Sequence, residues 1–187
     1  DALHVQRLLF RVFLSFRGIL KQKVLLERIK MPEKTLIDSI KSINDSISYD
    51  DETKIFSIGE VDKWFEIATE IKNLNFDYLM CITSIDLEND QLALAYNLHS
   101  TETKKSIEFN LVFPKDAQIP SIESLWKTAD WHEREAYDMM GIKFVNHPDM
   151  KRILLPHDWE GHPLRKNYVV ADYYHGMYIP KDKTEWE

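Results

Sequence analysis

The residues whose types and spacing could do chemistry are concentrated in the stretch WHEREAYDMMG at 131–141. It begins with His132 and Glu133, the first half of a zinc-hydrolase motif in which two His four residues apart bind the metal and the Glu acts as general base. Ala136 stands where the second His is needed, so too few ligands remain for a tetrahedral zinc site. We therefore expect no catalytic, cofactor-binding or metal-binding residue. A metal-dependent hydrolase using His132 and Glu133 stays open as the alternative from a different class.

The same stretch carries the signals of a short helix, predicted over residues 131–140. Asp130 is placed to cap its N-terminus, Glu133 to bond back as the third helical residue, and Gly141 to end it. These signals indicate a helix that holds the charged side chains in fixed relative positions.

This helix is charged and aromatic on all sides. Arg134 and Asp138 are four residues apart and are predicted to pair. Ionisable groups at 132–135 suit a solvated surface turn, whereas the large apolar side chains nearby need cover. We expect a polar contact between packed elements.

Length and composition predict one principal domain. The 187 residues are 44% hydrophobic and 12% aromatic, enough for one core with extensions. The net charge of −7 argues against a nucleic-acid partner, because phosphate binding needs a positive face. Cys81 is the single cysteine, and the five glycines form no dinucleotide-binding loop. The chain is therefore expected to lack an electron-carrying site of its own.

Residues 1–50 are predicted to form an N-terminal helical extension. Residues 1–30 hold seven Lys or Arg against two acidic residues, and arginines interrupt the apolar run, so no membrane-spanning helix is expected. A transit peptide, an interfacial helix and a docking or core helix stay open. A second short helix is predicted to begin at Met31-Pro32.

Residues 51–145 are predicted to form an α+β domain with a small sheet. A strand at 54–58 precedes a helical pattern from Val61 to Ile71. The apolar run 76–85 predicts a central strand, and two alternating segments behind it predict half-exposed strands joined by short hairpins. The expected order is strand, helix, then an antiparallel three-stranded meander.

Residues 146–187, which we call the strap, lose this periodicity but stay rich in aromatic residues. Disordered tails are usually poor in aromatics, so we expect an extended segment that binds a partner surface. Its irregularly spaced His residues predict hydrogen bonding rather than a metal site. Lys151, Arg152, Arg165 and Lys166 lie among acidic residues and are predicted to pair with protein rather than lipid. Trp159 is either an interface anchor or a cover for its own domain.

Three ungapped motifs carry a family resemblance. They are E-R-E-A-Y-D at 133–138, H-P-D-M-K-R at 147–152 and D-W-E-G-H-P-L-R-K at 158–166. They resemble the 30 kDa subunit family of respiratory complex I, the C subunits of proton-pumping NADH:quinone oxidoreductases. Weaker likeness covers residues 60–170, and the resemblance does not extend to residues 1–50.

The resemblance implies a non-catalytic, cofactor-free subunit of the hydrophilic arm. It implies contact with the quinone-site protein (the D subunit) and with the iron–sulfur proteins (the B and I subunits), while iron–sulfur clusters, FMN, NADH and quinone reside in these and other partners. It also implies a peripheral position on the cytoplasmic side of the inner or plasma membrane, or on the matrix or stromal side in a eukaryote. An equivalent subunit of a ferredoxin- or hydrogenase-linked complex stays open.

With this resemblance, the charged helix is interpreted as a buried polar contact that holds the strap. Buried charges persist only when they are paired, so each pair should matter to stability. The structural or interface residues predicted on this basis are Glu133, Arg134, Glu135, Asp138, His147, Asp149, Arg152, Asp158, Trp159, Arg165 and Lys166.

Overall fold

The computed structural model describes residues 33–87 and 89–179. Its elements are, in chain order, α1 (Glu33–Lys41), β1 (Ile47–Asp50), β2 (Ile55–Ile58), a 3₁₀ turn (Val61–Lys63), α2 (Trp64–Asn73), β3 (Tyr78–Asp86), β4 (Gln91–His99), β5 (Ser106–Pro114), β6 (Gln118–Pro120), α3 (Ala129–Met140), β7 (Lys143–Val145), β8 (Tyr173–Tyr174) and β9 (Met177–Tyr178). Within this part of the chain, none of the helices has the length and apolar character that a membrane crossing requires. The predicted basic segment 1–30 lies outside the described residues.

The predicted α+β class is confirmed. Five strands form a mixed sheet in the order β1-β2-β5-β4-β3, in which β3, β4 and β5 are the expected antiparallel meander and β2 runs parallel to β5. Helix α2 buries Trp64 against the sheet, where its ring lies 4.6 Å from Tyr96 and 5.8 Å from Phe109. Burial of such large side chains is the main stabilising contribution to the core.

The sheet differs from the sequence prediction at its edges. The run 76–85 was expected to be central, but β3 is an edge strand with Tyr78 and Ile85 exposed. Strand β4 was expected to be half exposed but is buried on both faces. On the outer face, the small side chain of Ala93 is covered because it lies between the larger side chains of Ile85 and Val112 on the neighbouring strands. Strand β1 falls in the predicted helical extension yet pairs with β2, so the sheet begins before residue 51. The division at 50 and 145 stays a prediction.

The described part of the strap, residues 146–179, has little regular structure. Its strands β8 and β9 form a two-residue hairpin, and the remainder is irregular. The order of this segment therefore depends on side-chain contacts with the domain rather than on a hydrogen-bonded ladder.

Candidate interaction site

Helix α3 presents most of the predicted site residues. It begins two residues earlier than predicted, and Thr128 occupies the N-cap without a side-chain hydrogen bond, so the prediction that Asp130 caps the helix was wrong. Gly141 ends the helix in the left-handed conformation, with φ +68°, as its sequence position indicated.

Asp138 is the point at which α3 holds the strap. Its side chain is fully buried, and Oδ2 accepts the backbone N–H groups of three consecutive residues at 3.0, 2.8 and 3.0 Å, namely Ile153, Leu154 and Leu155. Burial opposes ionisation of this carboxyl, but these donors and Arg152 outweigh it and lower its pKa. The strap turn is thus folded around a buried carboxylate.

Arg152 completes this arrangement from the strap side. Its Nη1 donates to Asp138 Oδ1 at 2.6 Å and to the main-chain oxygen of Asp138 at 3.2 Å. Its Nη2 donates to the main-chain oxygens of Trp159 and Gly161, both at 3.0 Å. One guanidinium therefore connects α3 to two points of the strap.

Arg134 does not pair with Asp138, so that prediction was wrong. Its Nη1 lies 3.8 Å from Asp130 Oδ1, and its Nε donates to the main-chain oxygen of Lys151 at 3.2 Å. Asp138 pairs instead with Arg152, which lies fourteen residues further along the chain. Helical spacing does not reveal a partner at this separation. Arg134 still contacts the strap.

Glu133 faces the domain rather than its own N-cap. Oε2 accepts the Ser121 hydroxyl at 2.6 Å and Oε1 accepts the Ile122 backbone N–H at 2.8 Å, so the predicted back-bond was wrong. Burial raises the pKa of this carboxyl to about 7, although the two hydrogen bonds oppose the shift. The Glu133 carboxyl is therefore a buried group that titrates near neutral pH.

The side chain of His147 is buried beside this carboxyl. Its Nδ1 accepts the Asp149 backbone N–H at 3.1 Å, which places the ring proton on Nε2. Nε2 lies 3.3 Å from Asp130 Oδ1 and 4.0 Å from Glu133 Oε2. The Nε2 atom thus lies near two carboxyl groups of α3 without forming a hydrogen bond to either of them.

A second group of contacts closes the C-terminal end of α3. Arg165 Nε donates to the Met140 main-chain oxygen at 2.6 Å, and His162 Nδ1 donates to that of Asp138 at 3.0 Å. Burial lowers the pKa of His162, in accord with a neutral ring. Carbonyl groups at a helix C-terminus lack helical partners and carry partial negative charge, so a cation there is favourable.

The strap also reaches the edge strand β3. The Lys166 backbone N–H donates to Asp86 Oδ2 at 2.8 Å, and Lys115 Nζ lies 3.5 Å from Asp86 Oδ1. Lys166 therefore contacts Asp86 through its main chain, and the residue itself is exposed to solvent.

The side chains of the remaining predicted residues lie outside this network. Glu135 is exposed on α3, and exposed Asp149 pairs with its neighbour Lys151 at 2.6 Å. Asp158 and Trp159 contact other strap residues, because Asp158 pairs with His175 at 2.6 Å and the Trp159 indole donates to the Tyr168 hydroxyl at 3.1 Å.

Sequence reasoning missed Ser121 and Asp86 as contact residues, and it predicted hydrogen bonding for His162 without identifying the partner. Ser121 and Asp86 meet their partners across 12 and 80 residues, so local spacing contained no signal for them. His162 lies in a motif that was noted, but its target is a main-chain oxygen, which no side-chain pattern marks.

Large apolar side chains on the strap face outward. Their exposed fractions are 60% for Leu154, 58% for Leu164, 80% for Val169, 63% for Tyr173, 65% for Met177 and 58% for Tyr178. Exposed large apolar side chains are available for contact with another protein. In the described part of the chain, no group of three or more His, Cys, Asp or Glu side chains is placed to hold a metal ion.

A family model described as the 30 kDa subunit of respiratory-chain NADH dehydrogenase matches residues 59–174, from before α2 to the end of β8. The chain belongs to this 30 kDa subunit family. The match includes Asp138, Arg152 and the strap turn that follows Arg152. The resemblance in the three sequence motifs is thereby confirmed.

Two bacterial relatives in this family are each named as the C subunit of NADH-quinone oxidoreductase. The one from Chloroherpeton thalassium is 47% identical over 130 residues, which cover 67% of this chain and 54% of the relative. The one from Chlorobium phaeobacteroides is 40% identical over 131 residues, which cover 67% of this chain and 79% of the relative. The chain thus spans about half the length of the first of these relatives.

The fold also occurs in a solved respiratory assembly. A chain of the archaeal membrane-bound sulfane sulfur reductase matches with a TM-score of 0.64 and 18% identity, over 78% of this chain and 98% of that chain. At this identity the likeness concerns the fold of the 30 kDa family alone.

Proposed function

We propose that this chain is a cofactor-free structural subunit in the hydrophilic arm of a proton-pumping NADH:quinone oxidoreductase. It supports electron transfer from NADH to quinone by holding the quinone-site and iron–sulfur subunits, and it performs no turnover alone. The observation that carries the proposal is the strap, which is pinned to α3 through Asp138 while its large apolar side chains remain exposed. Family membership supports the choice of assembly.

The exposed apolar side chains of the strap supply the free energy of association with a partner. The strap contacts described above use main-chain groups and buried charges, which leave its Leu, Val, Met and Tyr side chains available. Apolar area removed from water is worth about 25 cal/mol per Å², so covering these side chains favours association. Because the strap is already held in place, association loses less conformational entropy.

The proposed partners are the quinone-site protein (the D subunit) and the iron–sulfur proteins (the B and I subunits). Iron–sulfur clusters, FMN, NADH and quinone belong to partner subunits in this proposal. The chain attaches peripherally on the cytoplasmic side of the membrane, or on the matrix or stromal side in a eukaryote, through the complex itself.

An equivalent subunit of a ferredoxin- or hydrogenase-linked complex is the second candidate. The fold occurs in a chain of the archaeal sulfane sulfur reductase, so the fold does not select the electron donor. The names of the two bacterial relatives favour the NADH-linked enzyme.

The geometry argues against the hydrolase that uses His132 and Glu133. Ala136 stands one helical turn after His132, where the motif needs a second histidine to bind the metal. The Glu133 carboxylate is buried and holds Ser121 and Ile122 instead of facing solvent. Stoichiometric zinc in the purified chain would reverse this conclusion.

The test is immunopurification of the chain from its source membrane with an antibody against the folded domain, followed by identification of the recovered subunits. We expect subunits that bind quinone, iron–sulfur clusters and FMN in fixed ratio. Recovery with a hydrogenase or ferredoxin-linked set would support the second candidate, and recovery of the chain alone would refute both.

A further inference from the structure

A pocket of about 280 Å³ opens in the strap beyond the contacts with α3. Its lining combines aromatic rings with two carboxylates and includes Asp158, Trp159, Glu160, Tyr168, Tyr173 and Tyr174. None of the contacts between α3 and the strap described above uses these aromatic rings. The pocket is therefore a separate feature of the strap.

The pocket walls are held in place by contacts within the strap. The Trp159 and Tyr174 rings lie 5.1 Å apart, the Trp159 indole donates to the Tyr168 hydroxyl, and the Tyr174 hydroxyl donates to Asp158 Oδ1 at 2.9 Å. Gly161 lets Tyr168 approach, because a Cβ at this glycine would lie 2.8 Å from the Tyr168 ring. A site with fixed walls loses little entropy when a ligand enters.

The chemistry of the lining favours a cation. Aromatic faces carry partial negative charge and attract ammonium or guanidinium groups, and the residues that line the pocket include neither Lys nor Arg. Asp158 Oδ2 lies 2.6 Å from His175 Nε2, whereas Glu160 forms no ion pair with a described residue. An anion would meet both carboxylates.

We propose that this pocket binds an arginine or lysine side chain of the protein that covers the strap. The proposal rests on the proposed function, since it supplies a specific contact within the same interface. Exposed apolar residues adjoin residues that line the pocket: Val169 follows Tyr168 in sequence, and Met177 pairs with Tyr174 across the β8–β9 hairpin. A cationic side chain in an aromatic pocket surrounded by apolar cover has the arrangement of an interface hot spot.

The partner is preferred to the chain's own tail as the source of the cation. Lys181 and Lys183 follow the pocket residue Ile179 in sequence and offer the same charge. Filling the pocket with one of these side chains does not by itself cover the exposed apolar side chains spread between 154 and 178. A partner surface supplies a cation to the pocket and covers the apolar side chains at the same time.

The first experiment titrates N-acetyl-arginine amide into the ¹⁵N-labelled full chain and follows the Trp159 indole resonance. N-acetyl-citrulline amide, which has the same shape without the charge, is the matched ligand. We expect saturable shifts for the arginine compound alone. Glu160→Gln should raise its Kd about two- to fivefold, the loss expected for one exposed charge, and Glu160→Lys should abolish binding. Glu66→Lys, which makes the same charge change on exposed α2, should bind like the unaltered chain.

Equal shifts with both compounds, or undiminished binding in Glu160→Lys, would overturn the proposal. The titration is repeated with Lys181→Gln and Lys183→Gln combined. Binding seen only in this double variant would show that the chain's own tail fills the pocket, which overturns the partner as occupant.

The second experiment uses the complex. Immunopurification from cells that express Glu160→Lys should recover less of the partner subunits than from cells that express Glu66→Lys. Normal recovery with Glu160→Lys would refute the pocket while leaving the structural function intact. Failure of the unaltered chain to recover any oxidoreductase subunit would instead refute the proposed function.

Discussion

The carboxylate of Asp138 and the guanidinium of Arg152 lie 2.6 Å apart, with side-chain exposed fractions of 0% and 13%. The other Asp138 oxygen accepts three consecutive backbone N–H groups of the strap. The ion pair and the strap turn are therefore one structural unit. Loss of either charge leaves the other buried without its partner, which is a strongly destabilising state.

Replacing Asp138 with Asn should loosen the strap. The amide removes the negative charge and turns an NH₂ group toward Arg152 or toward the backbone donors, so we expect a loss of about 3–5 kcal/mol in the free energy of unfolding. Urea denaturation measures this loss. Limited proteolysis should show faster cleavage within 146–179.

Glu135→Gln is the matched control for Asp138→Asn. It removes a carboxylate from the same helix at an exposed position, so its effect should stay within about 0.5 kcal/mol. Equal stability and equal protease resistance of the two variants would contradict the role given to Asp138.

Replacing Arg134 with Ala should lower the amount of assembled complex. The change removes the donor to the Lys151 main-chain oxygen and leaves Asp130 without its arginine. We expect reduced complex on native gels. The spectra of clusters in the residual complex should stay unchanged, because in the proposed function the partner subunits hold the clusters. Normal complex levels would count against a role for Arg134 in holding the strap.

Glu133 should make stability depend on pH near neutrality. Its folded-state pKa is raised from 4.5 to about 7, so the folded state binds the proton more tightly and gains stability as pH falls from above 7 toward 4.5. Each pKa unit corresponds to about 1.4 kcal/mol, so the full shift is worth roughly 3 kcal/mol.

Urea unfolding of the unaltered chain and of Glu133→Gln between pH 5 and pH 8, in steps of about one unit, isolates this contribution. The difference in unfolding free energy between the two proteins should change with pH in the direction given, because the substitution removes the Glu133 carboxyl and leaves every other ionisable side chain in the sequence. A difference that stays constant over this range would show that Glu133 remains ionised throughout.

Replacing Gly141 with Ala should destabilise more than the same change at Gly176. Both glycines have positive φ, +68° and +77°, so both variants carry backbone strain. A Cβ at Gly141 would also lie 2.5 Å from the His162 ring and 2.8 Å from Arg165, whereas nothing lies within 4 Å of a Cβ at Gly176. We expect an additional loss of about 1–3 kcal/mol at Gly141, measured by thermal or urea denaturation.

Much of the α+β framework follows from local pattern. Alternation along β4 and β5 and helical spacing in α2 predicted elements that the structure contains, and Gly141 ends α3 as expected. The errors concern which strand is central. Apolar residues on both faces predict burial, but they do not identify the neighbour that supplies it, so edge strand β3 was placed in the middle.

The family resemblance was evident from three short motifs, and the domain match over 59–174 agrees with it. The partners of the charged residues were less predictable. Helical spacing predicted that Arg134 pairs with Asp138. In the folded chain Asp138 pairs with Arg152, and Arg134 lies near Asp130.

From the sequence alone came the element types, the lack of a paired cysteine and the concentration of charge and aromatic residues after residue 130. These properties depend on residues near one another in the chain. Tertiary structure decided which carboxylate holds the strap, because Asp138, Glu133 and Asp86 meet donors 11 to 80 residues away. A buried charge pairs with the group that packing places beside it, and packing depends on the whole fold.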